Sequence, residues 1–365
     1  MQQGEPDSVS AALAGHLGRV IEEAGGWIGF ERFMAEALYA PRLGYYARGD
    51  RQFGAFPSSG SDFITGPEMT PLFGRTLARQ VAQAMDACAV DEVWEFGAGS
   101  GALALQLLDT LGEGARRYTI VDLSGALRAR QQATLGAFGD RVRWVDELPD
   151  AMEGVVVGNE VLDAMPVALL HWDGERWRER GVLRDGAGFA FEDRDTPLQP
   201  PVQAAFVPGT TVEVHRHARA FVATLAGRLA RGAAIFVDYG FPEHEYYHPQ
   251  RTGGTLMCHR AHRADTDPLA DVGAKDITAH VDFTGIALAA QDAGLHVLGY
   301  TSQARFLMNC GLLELAAAGA DARALSAMQK LLGEHEMGEL FKVIGLATQP
   351  FDAIGFRDGD RSHRL

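Results

Sequence analysis

Two short stretches concentrate the residues able to do chemistry. The first is "VWEFGAGSGAL" (Val93 to Leu103): an apolar run holding one acid, then glycine at every second position. Gly97, Gly99 and Gly101 allow a backbone to approach a ligand closely and leave free N–H groups where a helix starts. The dinucleotide fingerprint is G-x-G-x-x-G, whose last glycine seats the helix on the strand. Here the order is G-x-G-x-G, and Glu95 stands just ahead of it. A carboxylate at that point repels a pyrophosphate and welcomes an ammonium or sulfonium. Asp122 ends the next apolar run, "YTIVD", where a carboxylate can accept both hydroxyls of a ribose, with Leu123 beside it. An ammonium, a sulfonium and a ribose occur together in S-adenosylmethionine, which suits this charge pattern better than a nicotinamide dinucleotide.

The second stretch is "VVVGNEVLDAMPV", with Asn159, Glu160 and Asp163 at the end of another apolar run. A helical turn there would put Glu160 and Asp163 on one face. Paired carboxylates beside a methyl donor suit a cationic acceptor. They can grip a guanidinium by charged hydrogen bonds, align one nitrogen with the methyl group, and take up the proton released. Methylation of neutral amides or nucleobases commonly uses a D/N-P-P-Y motif at this place, which the chain lacks. Glu160 and Asp163 are therefore the candidate catalytic pair, and Asn159 a candidate cofactor contact. The alternative is that Asp163 caps a turn and only Glu160 faces the site.

Positioning such groups calls for a mostly parallel sheet covered by helices, whose ligands lie outside the carboxyl ends of the strands. The chain supplies the alternation. "DEVWEF", "YTIVD", "RVRWV", "GVVVGN" and "GAAIFVDYG" have strand patterning, and "GALALQLLDTL" and "SGALRARQQATL" helical patterning. Ahead of them, apolar spacing predicts helices over 9–24 and 30–39. A third is predicted over 71–86, with Thr70 as N-cap and Pro71 at its first position. Residues 166–230 differ: alternating segments around Asp173-Gly174 predict a hairpin, and "GTTVEVHRHARAFVATLAGRLARG" is taken as a helix. The expected organisation is an N-terminal helical segment and site-covering loop over 1–86 and a Rossmann-like core over 87–165 and 231–300. An inserted hairpin and helix fill 166–230, closing helices and a strand 301–350, and a tail 351–365.

The 365 residues, 47% hydrophobic and 22% charged, suit one large or two intimately joined globular units. A net charge of −15 argues against a nucleic-acid surface. Three scattered cysteines form no disulfide framework and point to a reducing cytoplasm. No signal peptide and no membrane-spanning run is expected. Histidines and cysteines near 215, 244 and 258 lack paired ligand spacing, so no metal is expected.

Together "FMAEALYAPRLGYY", "DFITGPEMTPLFG", "EFGAGSGAL", "VDLSGALRARQ", "GNEVLDAMPV", "FVDYGF", "DITAHVDFT" and "FKVIGLATQ" resemble the MidA family of S-adenosylmethionine-dependent methyltransferases, over about residues 20–350. That family includes a mitochondrial factor that methylates an arginine in a core subunit of respiratory complex I. The resemblance implies a class I methyltransferase fold, S-adenosylmethionine as cofactor and a protein substrate, with an oligomer possible. Glu95, Gly97, Gly99 and Gly101 match its cofactor loop, and Asp122 falls where the family usually carries glutamate. Asn159, Glu160 and Asp163 match its N/H-E-x-x-D-A segment. Thr65 and Glu68 are expected to close over the cofactor, and Asp62, Phe63, Tyr46, Asp238 and His280 to lie on the substrate side. A small-molecule methyltransferase and an assembly factor acting by contact are the alternatives.

Overall fold

The computed structural model describes residues 5–47, 65–122, 124–260 and 263–365. Asp62, Phe63 and Leu123 lie outside these residues.

Seven strands build the main sheet: β1 (Glu92–Phe96), β2 (Arg117–Val121), β3 (Val142–Val145), β4 (Met152–Asn159), β5 (Leu229–Phe241), β6 (His296–Ser302) and β7 (Phe341–Ala347). Their spatial order is β3-β2-β1-β4-β5-β7-β6. The first five run parallel, and β7 is antiparallel to both neighbours. The short strand Val281–Asp282 adds to the end of β5. Both faces are covered, which is why the central strands are continuous apolar runs. In β4, Val155 and Val157 join the core under the helix Pro71–Cys88, whereas Val156 joins the core under Arg216–Arg228 and Phe283–Asp292.

The order of strands reverses between β1 and β4, where Phe96 pairs with Gly158. The turn after β1 and the turn after β4 therefore leave the sheet side by side. That is the crevice in which open α/β sheets bind ligands. The helix Pro71–Cys88 starts as expected, with Thr70 Oγ1 accepting from Leu72 N at 3.3 Å.

There is a second, antiparallel sheet. It joins Ile28–Gly29, Ala168–Trp172, Trp177–Asp185, Gly188–Asp195 and Thr211–Val214. The helix Phe30–Tyr39 packs Phe30, Phe33, Met34 and Leu38 against its Leu169 and Val182. A small third sheet, Met257–Arg260, Arg263–Asp265 and Asp276–Thr278, leans on the same core through Cys258 and Ile277. Among the described residues, no helix is long and apolar enough to cross a membrane.

Three expectations need correction. The segment from Thr211 begins as a strand, because "TVEV" alternates and pairs with Ala168–His171; its helix starts only at Arg216. The first helix begins at Glu5 instead of residue 9. The turn after β4 is not helical: Glu160 has φ of +54°.

Candidate active site

Gly97, Gly99 and Gly101 have φ of +62°, +52° and +84°, a left-handed run that side chains resist. A Cβ on Gly97 would also stand 3.2 Å from Val161, on the neighbouring turn. Gln131 fixes the loop. Its Nε2 donates to Gly99 O at 3.1 Å and to Asp122 Oδ2 at 2.8 Å, and its Oε1 accepts from Trp144 at 2.9 Å. The other Asp122 oxygen accepts the N–H of Ser124 at 2.9 Å, so both carboxylate oxygens are oriented. Burial pushes the Asp122 pKa up.

Glu95 is 2% exposed and borders the cavity. Tyr118 donates to it at 2.6 Å, and among the described residues no basic side chain is paired with it. Burial raises its pKa to about 8. A buried carboxyl that faces a cavity and has no basic partner among the described residues fits a ligand that brings a cation. With the open glycine turn and the oriented Asp122, the donor set suits the ammonium and ribose of S-adenosylmethionine. Glu68 closes this half, accepting a hydrogen bond from Ser100 Oγ, and Thr65 lies beside it on the cavity wall.

The cavity, of about 990 Å³, continues from the glycine turn to the turn after β4. This is the upper end of the range for small-molecule sites, about 300–1,000 Å³, and leaves room for an acceptor beside a cofactor. Asn159 Nδ2 donates to Glu160 Oε1 at 3.0 Å. Burial, then the charge of Asp163, raises the Glu160 pKa to about 8. Asp163 Oδ2 accepts from Tyr239 OH, and its Oδ1 has no partner among the described residues. Burial raises its pKa to about 6. No lysine or arginine is paired with Glu160 or Asp163 among the described residues. His280 completes one wall, parallel to Phe241 with centroids 5.2 Å apart, and burial drives its pKa down to about 4.

Glu95, Gly97, Gly99, Asp122, Thr65, Glu68, Asn159, Glu160, Asp163, Tyr46 and His280 thus border one cavity. Two residues singled out do not. Gly101 sits behind the turn, its α-face against Gln131. Asp238, expected on the substrate side, is instead under the turn after β4. Its Oδ2 accepts from the N–H groups of Val161, Leu162 and Asp163 at 3.1, 2.9 and 3.3 Å. Glu160 and Asp163 therefore meet by this carboxylate-held turn and not by helical spacing. Sequence reasoning missed Tyr39 and Asp276. Tyr239, with Asp238 and Gly240, has the strand-end position of a site edge or a structural turn, whereas Asp276 enters only as the first residue of "DITAHVDFT".

An open sheet of this order, with a glycine turn at its switch point, defines a class I methyltransferase. Residues 76–301 match the model of a family of S-adenosyl-L-methionine-dependent methyltransferases, and the chain belongs to that family, as the motif resemblance implied. A Burkholderia thailandensis protein crystallised with S-adenosyl-homocysteine is 50% identical, with a TM-score of 0.96 over 100% of this chain and 99% of that one. The mitochondrial protein arginine methyltransferase NDUFAF7 of Danio rerio is 28% identical over 92% of this chain and 86% of its own length. Its Drosophila melanogaster homologue is 28% identical over 83% and 77%. The chain is a methyltransferase that uses S-adenosylmethionine.

Proposed function

We propose that the methyl acceptor is the guanidinium of an arginine in a protein. One observation carries this reading: at the acceptor end of the cavity Asp163 is buried and Glu160 half-buried, and among the described residues no lysine or arginine is paired with either. Such a pair is stable in its charged form only when a ligand supplies positive charge and N–H donors. The names of the relatives agree with it.

In this reading Glu95 holds the ammonium of the cofactor and Asp122 its ribose hydroxyls, with Gly97 and Gly99 giving clearance and Thr65 and Glu68 covering it. S-adenosylmethionine supplies an electrophilic methyl carbon on a sulfonium. Asn159 orients Glu160, and Glu160 and Asp163 grip the guanidinium and turn one nitrogen toward that carbon. As the C–N bond forms and the C–S bond breaks, the proton on that nitrogen passes to Glu160, whose raised pKa suits it to accept one. Most of the acceleration comes from alignment in a site shielded from water. Tyr46 and His280 form the walls of the acceptor half.

The test is transfer of a labelled methyl group into a cell lysate, followed by hydrolysis of the labelled protein. Label recovered as methylarginine supports the reading. Label confined to small molecules, or recovered on another amino acid, sinks it. A core subunit of respiratory complex I is the first protein to assay, on the family resemblance alone. The three cysteines, buried and unpaired, are the ground for a cytoplasmic placement.

A further inference from the structure

We propose that Tyr239 is a positioning residue that divides the work of the two acids: its hydroxyl holds Asp163 as the charged anchor for the guanidinium, and Glu160, held by an amide instead, is left to take the proton. This rests on the arginine reading above. The setting of Tyr239 carries it. The residue follows Asp238 near the end of β5, opposite Phe341 of β7. Its ring stands nearly perpendicular to those of Phe341 and His280, with centroids 5.3 and 5.1 Å apart. A ring packed against two others has little freedom, so the fold sets the direction of its O–H. That hydroxyl donates to Asp163 Oδ2. Burial, then the charges of Asp163 and Asp238, keep the proton on Tyr239 well past the usual phenol range. A fixed O–H donor that retains its proton favours the ionised carboxylate. Glu160 accepts from the Asn159 amide at 3.0 Å, a weaker donor than a phenol.

The other groups around Asp163 do not favour its charge. They are Glu160 on the same turn, Asp238 under it, Tyr39 and Tyr46 from the helix Phe30–Tyr39 and the turn behind it, Asp276 from the small sheet, and His280 beside Tyr239. The three carboxyls oppose ionisation of Asp163. Burial keeps the two tyrosines protonated and His280 neutral at pH 7. Burial brings Asp163 up to about 6, and the Tyr239 hydrogen bond is the largest influence in the other direction. Burial, then the charge of Asp163, brings Glu160 to about 8. At pH 7 Asp163 is therefore charged before the acceptor arrives and can attract a cation. Glu160 ionises once that cation is bound, and then has the higher affinity for the proton that methylation releases.

The experiment is calorimetric titration of the full chain, saturated with S-adenosyl-homocysteine, with Nα-acetyl-arginine amide from about pH 5 to about pH 9. In the unaltered chain affinity is expected to rise with pH in a first step near 6, as Asp163 ionises. Tyr239→Phe keeps the ring and its packing and removes the hydroxyl. The step is then expected about one unit higher, which weakens binding about fivefold at about pH 6 and less than about twofold at about pH 9. Asp163→Asn is expected to abolish the step. Affinity for S-adenosyl-homocysteine within about twofold of the unaltered chain reports that each variant is folded. A step that persists in Asp163→Asn, a step that does not move in Tyr239→Phe, or a loss in Tyr239→Phe by one factor at every pH overturns the proposal. An unaltered chain that does not bind Nα-acetyl-arginine amide at any pH overturns the arginine reading itself, and that failure is visible before any variant is made.

Discussion

Asp238 Oδ2 accepts the backbone N–H of Leu162 at 2.9 Å, and those of Val161 and Asp163 on either side. One carboxylate, 1% exposed at the end of β5, thus shapes the turn that presents Glu160 and Asp163. The next residue, Tyr239, then donates to Asp163 itself. Asp238→Ala leaves four N–H groups, those of Val161, Leu162, Asp163 and Tyr239, without this acceptor. We expect a stability loss of about 1–3 kcal/mol, the usual cost of stranding buried donors. We also expect a fall in kcat with unchanged affinity for S-adenosyl-homocysteine. Thermal melting and single-turnover rates check the two parts, and weakened cofactor affinity in a folded variant would contradict the placement.

Glu160→Gln keeps the size of the side chain and removes its capacity to accept a proton. If Glu160 takes the proton from the acceptor nitrogen, kcat should fall by about 10² to 10⁴. Cofactor affinity should hold within about twofold, since Glu95 and Asp122 lie on the other turns. Unchanged turnover in this variant would remove Glu160 from the chemistry.

Cofactor binding should depend on pH through Glu95. Its folded pKa, about 8, lies above its ordinary 4.5 because it is buried. At pH 7 the ligand-free carboxyl holds a proton, and a cationic ligand selects the ionised form. Affinity for S-adenosyl-homocysteine should therefore rise with pH toward 8, by up to about tenfold per unit, and binding should release a proton. Calorimetry in buffers of different ionisation enthalpy measures that proton, and Glu95→Gln should abolish it. The stability of the ligand-free chain should move in the opposite sense. Between pH 4.5 and about 8 the folded chain holds protons on Glu95 and Glu160 that the unfolded chain has released. Stability therefore falls as pH rises through that window.

Gln131 joins the glycine turn to the Asp122 carboxylate with two donated hydrogen bonds. Gln131→Leu keeps the bulk and deletes both. Affinity for S-adenosyl-homocysteine should drop about tenfold, the effect of freeing a carboxylate that must be pre-oriented. Affinity for Nα-acetyl-arginine amide should not change.

The chemistry at the strand ends was legible because it sits in continuous sequence. Glu95, the glycines and Asp122 follow apolar runs directly, and so do Asn159 and Glu160. Asp238 was noticed but put on the wrong side: the last residues of a strand face either way, and only the neighbouring turn decides which. Asp276 and Tyr39 could not be found locally. Tyr46 meets Asp276 across 230 positions, and a three-residue strand has too few residues to show a period. The helix expected from Thr211 failed for a related reason. Four alternating residues were absorbed into the longer helical run behind them, whereas an open sheet edge beside Ala168–His171 gave them a better partner.

The backbone at Glu160 lies at φ +54°, a conformation that a side chain with a Cβ adopts at a cost of about 1–2 kcal/mol. A chain optimised only to fold would carry glycine there and would not half-bury an acid. Glu160→Gly should accordingly raise the melting temperature while silencing methyl transfer. Fitness and thermal resistance would then pull this one position in opposite directions, and selections for a hardier protein should lose the enzyme first at residue 160.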